Sequence, residues 1–439
     1  VHTLSEGTFN VIIAVFFRRG GMRESRARIG FVSTRLAGTD GVSLEVEKWI
    51  NILTELGYEC FFFAGESDWP KDRTHLVAEA HFQHPEIISL QEELFGMYTR
   101  SPQTSRRVES LKRHLKEHLR EFVDEFQLDL LIAENALSLP VNVPLGLSLT
   151  EFIAETRMPV IGHHHDFWWE RERFARGAAD YLRGAFPPVL PSIHHVVINS
   201  FGGSQLALRT GASSVLVPNV MDFGVPPPGP DEYTAALRPT LGIGRDEYLL
   251  LQPTRIVPRK RIQLAIELLR RLELPGVLVI SHSAGDEGAA YEEYLRGFAR
   301  LMGVRVIFAQ DQFGDRREVA AGRRVFSLAD AYHEADLITY PSTVEGFGNA
   351  FLEAIYYRRP IVMSTYEIFQ TDIEPKGFKV IEFGDFLEDE TVRLARAVLL
   401  NPSAAAEMVA HNYEVARRHY SYEVLRDYLA ALIDECLGR

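Results

Sequence analysis

Short apolar runs recur along the chain, each followed by a stretch in which apolar residues change to helical spacing. In the first half they cover 29–34, 60–64, 128–133, 159–162, 196–199 and 215–217; in the second, 248–252, 277–281, 304–308, 337–340, 361–364 and 379–383. Runs this short, rich in β-branched residues and bounded by polar turns, predict strands buried on both faces in βα units. The segments between them read as helices. Val46, Trp49, Ile50, Leu53 and Leu56 fall on one helical face, and Gly57 stands where a helix-ending glycine belongs. The stretch from Phe223 to Pro230 carries four prolines and permits neither helix nor central strand. The predicted architecture is therefore α/β, with two doubly wound, Rossmann-like domains facing across a cleft. Residues 29–222 form the first domain, 223–246 a linker and 247–418 the second. Residues 419–439 form a last helix that crosses back to the first domain.

Residues 1–28 read as an upstream segment outside this pattern. Their apolar stretch, 11–17, is too short to span a membrane, and the Arg18-Arg19 pair after it does not suit a signal peptide. A peripheral apolar anchor is the rival reading.

Composition narrows the function classes. A length of 439 residues leaves room for two full cores. A net charge of −13 lacks the basic footprint of a nucleic-acid binder. The two cysteines, Cys60 and Cys436, exclude a disulfide framework and fit a reducing, cytoplasmic compartment. A basic stretch (Arg106, Arg107, Lys112, Arg113, Lys116, Arg120) lies above an apolar stripe of Val108, Leu111, Leu115, Leu119 and Phe122. Such a helix can dock on anionic lipid, but a solvated face over an ordinary core contact is the commoner use and is preferred. Homo-oligomerisation is left open.

Polar and glycine residues gather at the predicted strand ends, where a doubly wound sheet presents its ligand loops. The run 340–353 is the most informative. It leaves a strand, passes Gly346 and Gly348, and enters a helix, so backbone N–H groups there can approach an anion at the helix N-terminus. Glu345 in the loop and Glu353 two turns into the helix can face one ligand from different heights. Carboxylates beside a phosphate-binding loop point to a ligand that also carries hydroxyls, which describes a nucleotide sugar. Arg255 and Lys260 end another strand, where two cations would neutralise a diphosphate.

Four motifs in this order resemble the family-4 retaining glycosyltransferases of the GT-B fold, also called glycosyl transferases group 1, over about residues 29–435. Glu345 to Glu353 resembles the family's E-x7-E signature, and Thr254 to Lys260 its strand-end Arg and Lys pair. Pro218-Asn219-Val220-Met221-Asp222 resembles the turn closing the first domain, and 159–166 the strand that ends in an active-site His-Asp. The resemblance implies a soluble hexosyltransferase that moves a sugar, with retention, from a nucleotide-diphosphate donor to a small polar acceptor such as a sugar or sugar acid, with no metal or other cofactor required. It assigns catalytic roles to His165, Glu345, Arg255 and Lys260. Donor contacts fall to Gly41, Arg255, Lys260, Gly346, Phe347, Gly348, Asn349 and Glu353. Asp40, Glu134, Asn135, His163, Asp166 and Trp168 are acceptor-side candidates, with Asn142 beside them. Asp166 is a candidate to orient the His165 imidazole, and Trp168 is either a sugar-stacking wall or a lid packed on the core.

The run His163-His164-His165 also invites a zinc reading. Alternation on a strand leaves only His163 and His165 on one face, and no Cys or further His stands at ligand spacing, so no metal is expected. Arg261, His282 to Gly285, and Val220-Met221 depart from the family pattern without removing a charged ligand. A phosphorylase of similar fold, an epimerase and a non-catalytic sugar-nucleotide sensor are the rival readings.

Overall fold

The computed structural model describes residues 27–38, 40–284, 289–320 and 322–438. Most of the upstream segment, residues 1–26, lies outside the described residues, as does Gly285. The strands are β1 (Arg28–Val32), β2 (Glu59–Ala64), β3 (Thr74–Leu76), β4 (Leu130–Glu134), β5 (Val160–His164), β6 (Ile193–Val197) and β7 (Ser214–Leu216) in the first half. In the second they are β8 (Tyr248–Gln252), β9 (Gly276–Ile280), β10 (Arg305–Phe308), β11 (Glu318–Ala320), β12 (Arg323–Val325), β13 (Leu337–Tyr340), β14 (Ile361–Ser364) and β15 (Ile381–Phe383). Two parallel sheets result, in the orders β3-β2-β1-β4-β5-β6-β7 and β10-β9-β8-β13-β14-β15, beside a small β11-β12 hairpin. Strand order reverses between β1 and β4 in one sheet and between β8 and β13 in the other. Crevices at such reversals, beyond the strand C-termini, are where doubly wound sheets bind ligands.

Every predicted apolar run overlaps a strand. The strands that the pattern does not reveal are β3, β11 and β12, because Thr-His-Leu at a sheet edge and the arginine-rich hairpin carry no buried apolar run.

Each sheet is covered on both faces. Ile29, Phe31, Trp49, Ile132 and Ile161 form one core of the first sheet, joined by Leu425, Leu429, Leu432 and Ile433 from the chain's last helix, Tyr422–Leu437. That helix lies against Gly41–Glu55, and Arg426 pairs with Glu55. The opposite face packs Phe63, Leu115, Leu119, Phe122 and Leu149. After Phe223, whose ring meets those of Tyr356 and Tyr413, the segment around Leu237 and Ile243 joins the core of the second sheet.

The basic face of helix Pro102–Phe126 is not free for lipid. Lys112 reaches Glu151 at 2.5 Å, Lys116 reaches Glu155 at 2.8 Å, and Arg120 also pairs with Glu155. Both glutamates come from helix Val143–Thr156, so the expected basic stripe is half of an interhelical ion ladder. Among the described residues, no helix is long and apolar enough to cross a membrane.

Leu429 is fully buried in a core built from both chain ends. Leu429→Ala is expected to destabilise the first domain by about 2–5 kcal/mol, whereas the exposed Leu208→Ala should change it by under ~0.5 kcal/mol. Urea unfolding followed by tryptophan fluorescence measures both, since all four tryptophans lie in the first domain. Equal effects would mean that the last helix does not complete this core.

Candidate active site

The loop after β13 brings Glu345 into a buried position, with its side chain only 10% exposed. It is ion-paired to Lys260, and Arg259 Nη1 lies 3.4 Å from its other oxygen. Both cations come from the turn after β8 (Pro258–Lys260), the strand across the reversal point. Burial alone would raise the Glu345 carboxyl, but Lys260 and Arg259 outweigh it and hold it below the usual carboxylate range. Lys260 is itself pushed down, first by burial and then by the like charges of Arg259 and Arg255, against the attraction of Glu345. Half-buried His282 is lowered too, by burial and then by Arg255 and Lys260. By formal charge, Arg255, Arg259 and Lys260 stand here against the single carboxylate of Glu345, while burial is the larger cause of the lowered Lys260 and His282. Arg255 is exposed, and its guanidinium makes no hydrogen bond or ion pair among the described residues, while its carbonyl accepts from the Val257 N–H at 3.1 Å.

Beyond Glu345 the chain turns through Gly348, whose φ of +116° and the Tyr366 hydroxyl 2.3 Å from where a Cβ would stand both demand glycine. Buried Phe347 anchors the turn: its carbonyl accepts from Tyr366 Oη at 2.7 Å and its ring packs on Tyr420. The turn opens helix Asn349–Tyr356, and the N–H groups of Gly348 and Asn349 donate to no partner among the described residues. Glu353 lies on this helix, partly buried, and accepts from Tyr332 Oη at 2.7 Å. Burial raises its carboxyl above the usual range, against Tyr332 and the more distant Lys48.

The facing wall belongs to the first sheet. Glu134 ends β4 and is fully buried, with Oε2 2.9 Å from His163 Nδ1 and 3.2 Å from His165 Nε2. Burial alone would raise this carboxyl; the histidines, His163 first, outweigh it and bring it down to about 2. Burial also opposes charge on His165, yet Glu134 wins and raises that imidazole. In His163, stacked on Trp49 at 4.1 Å between ring centroids, burial prevails and the imidazole is lowered. His164 points to the other face and pairs with His195 at 2.9 Å. Asn135, at a φ of +54°, accepts from the His165 backbone N–H at 2.8 Å and so shapes the strand end.

The two walls meet. Asn199 Nδ2 donates to the Gly346 carbonyl at 2.6 Å, and Asn219 Nδ2 to Asn349 Oδ1 at 2.7 Å. A Cβ on Gly346 would stand 3.5 Å from the His165 carbonyl oxygen, and one on Gly41 3.5 Å from Asn349 Nδ2. His165, Glu345, Gly346, Asn349 and Gly41 thus border one cleft.

Several expected acceptor-side residues do other work. Asp40 caps helix Gly41–Glu55, accepting from Val42 and Ser43 N–H, and pairs with Arg35 at 2.6 Å. Asp166 pairs with Arg171 at 2.8 Å; the carboxylate that orients His165 is Glu134. Trp168 donates its indole N–H to the Phe186 carbonyl at 2.8 Å and packs on a core cluster, the lid arrangement rather than a free stacking wall. Asn142 caps helix Val143–Thr156 and bonds the Glu79 and Ala80 carbonyls. Sequence reasoning weighed only Cys and His as partners for His163 and His165; Glu134 brings three ligand-type atoms within 4.8 Å of one another. In the structure that carboxylate accepts hydrogen bonds from both imidazoles.

Sequence reasoning missed Glu45 and Lys48. Glu45 is buried and accepts from the Val220 N–H at 3.1 Å, while Lys48 donates to the Val220 carbonyl at 2.6 Å, so the pair clamps the turn that closes the first domain. Their signal was two charges on the core-facing stripe that also carries Val46, Trp49 and Ile52.

Replacing Glu134 with Gln is expected to cost about 3 kcal/mol or more at pH 7, as removal of one partner from a buried charged pair does. Its folded-state carboxyl is depressed to about 2, so the contribution is complete above the unfolded value near ~4.3 and is lost as pH falls through about 2. Urea unfolding of both proteins across that window measures the difference. A difference that stays constant with pH would contradict the charge account.

Comparison with known proteins gives the family and the fold. The chain matches the family described as Glycosyl transferases group 1 over residues 234–414. It is 33% identical to a mannosylglucosylglycerate synthase of Thermotoga maritima over 92% of this chain and 99% of that one. A mannosylglucosylglycerate synthase of Petrotoga mobilis is 30% identical, over 82% of this chain and 88% of the other. In structure the chain is similar to a sucrose-phosphate synthase from Thermosynechococcus elongatus, with a TM-score of 0.65 and 16% identity over 94% of this chain and all of that one. The chain belongs to the group 1 glycosyl transferases and is a hexosyltransferase of GT-B fold.

Proposed function

We propose that the chain transfers a mannosyl group, with retention, from a nucleoside-diphosphate sugar to glucosylglycerate, a small sugar-acid acceptor. The observation that carries the donor half is the surplus of positive charge around Glu345: Lys260, Arg259 and Arg255 against one carboxylate. A diphosphate brings the missing negative charge. The printed name of the two relatives supports the acceptor half, and so does their coverage of both domains.

In this reading Arg255 and Lys260 take the diphosphate, and the N–H groups of Gly348 and Asn349 add hydrogen bonds at the helix N-terminus. Glu345 accepts from donor-sugar hydroxyls and Glu353 from the ribose. His165, held through Nε2 by Glu134, presents its other ring nitrogen to the sugar. The bond between sugar C1 and the diphosphate oxygen breaks as the acceptor hydroxyl oxygen bonds C1 on the same face. The acceptor's proton passes to the departing phosphate oxygen, leaving a glycoside and a nucleoside diphosphate. Side-chain cations supply the charge stabilisation, so the transfer step requires no divalent cation. Free Cys60 and Cys436 suit a cytoplasmic setting.

The test is product formation from GDP-, UDP- or ADP-mannose and glucosylglycerate, read by NMR at the new anomeric carbon. The expected result is one productive nucleotide, an α-mannoside, and an unchanged rate in chelator. Lys260→Ala should lower kcat by about 10²–10³-fold, as loss of a charge-stabilising group does. Turnover only with inorganic phosphate would indicate a phosphorylase, and turnover without acceptor an epimerase. No turnover, with tight nucleotide-sugar binding, would indicate a sensor.

A further inference from the structure

A second histidine cluster lies away from the cleft, where the edge strand β3 meets helix Pro102–Phe126. Three atoms converge there: His75 Nε2, His118 Nδ1 and Glu121 Oε2. They form a triangle with edges of 3.2 Å between the imidazoles, 2.8 Å from His118 to Glu121 and 3.8 Å from His75 to Glu121. Ligands about 2.0–2.1 Å from a tetrahedral zinc ion stand roughly 3.3 Å from one another, so the triangle has the size of such a ligand face.

The surroundings supply an independent sign. His75 Nδ1 lies 3.1 Å from Glu125 Oε2; a carboxylate there accepts from Nδ1–H, the tautomer in which Nε2 is the lone-pair nitrogen, aimed at the other two ligands. A carboxylate behind a ligating histidine is the usual way a metal ligand is oriented. The His75 ring is further fixed by stacking on Phe63, at 5.8 Å and 6° between planes. Helical spacing puts His118, Glu121 and Glu125 along one side of the helix, one turn apart. Glu121 is 62% exposed, which leaves the fourth coordination position to water.

We propose that His75, His118 and Glu121 bind one divalent cation of the zinc class. Two imidazoles disfavour magnesium and calcium, which take oxygen ligands. With neutral imidazoles, Glu121 and Glu125 together balance the charge of the ion. The role is structural: the ion ties the edge strand to the helix across a sequence separation of 43 residues. In the sheet order β3-β2-β1-β4, the site stands three strands from the one that ends in Glu134, so transfer does not depend on it.

The experiment is calorimetric titration of zinc chloride into the untagged, metal-stripped full chain, with magnesium chloride as control, beside thermal melts. One zinc ion should bind, magnesium should not, and zinc should raise the melting midpoint. Glu121→Ala removes an exposed ligand without threat to the fold and should weaken zinc by more than tenfold; Glu125→Gln should weaken it by about 10–100-fold. Transferase rate should not change in either variant. The proposal is overturned if zinc does not bind, if both variants bind it like wild type, or if only Glu134→Gln abolishes uptake, which would place the ion in the cleft.

Discussion

Burying a carboxylate costs several kcal/mol unless positive charge is buried with it, and that requirement organises the loops around Glu345. The turn after β8 answers it with Lys260 and Arg259, which ties together the two strands at the reversal point of the second sheet. Neutralising Glu345 would take one cation. The turn places three nearby, and Arg255 adds to the burial that lowers both Lys260 and His282. The pair is therefore more than a structural tie: it holds a carboxylate ready for hydroxyls beside a field ready for a diphosphate.

The opposite wall uses the reverse arithmetic. One carboxylate, Glu134, serves two imidazoles: it raises His165 against burial, while at His163 burial prevails and lowers the imidazole. Polar contacts from Asn199, Asn219 and Ser200 join the two halves beside the cleft. Each is worth about 0.5–1.5 kcal/mol net. Apolar contact joins the halves too: Ile198 and Phe201, flanking Asn199 and Ser200, pack into the core of the second sheet, and helix Tyr422–Leu437 packs on the first domain after the chain has completed the second.

Strand identity was legible because parallel strands buried on both faces must be apolar throughout, as Leu249, Leu250 and Leu251 are. Edge strand β3 and the β11-β12 hairpin escape that constraint, so nothing in their residues announces them. In the second domain the motif residues could be read in order because Glu345, Lys260 and Arg255 lie close to strand ends, where sequence and space run together. The first domain was harder. Whether a loop Asp meets a ligand or caps a helix depends on a turn geometry that spacing does not encode, and Asp40 turned out to be a cap. Glu134 lies 29 residues from His163, and only the β4–β5 register makes them neighbours. A longer separation, 43 residues between His75 and His118, hid the ligand triangle.

The central claim, that the Glu345 loop carries a positive surplus made for a diphosphate, is tested most directly by comparing a nucleoside diphosphate with its parent nucleoside. Calorimetry of both against wild type and Arg255→Ala separates phosphate recognition from base recognition. The account predicts that wild type prefers the diphosphate strongly, that Arg255→Ala loses most of this preference, and that nucleoside affinity is unchanged. Equal loss for both ligands, or an unchanged preference in the variant, would contradict it.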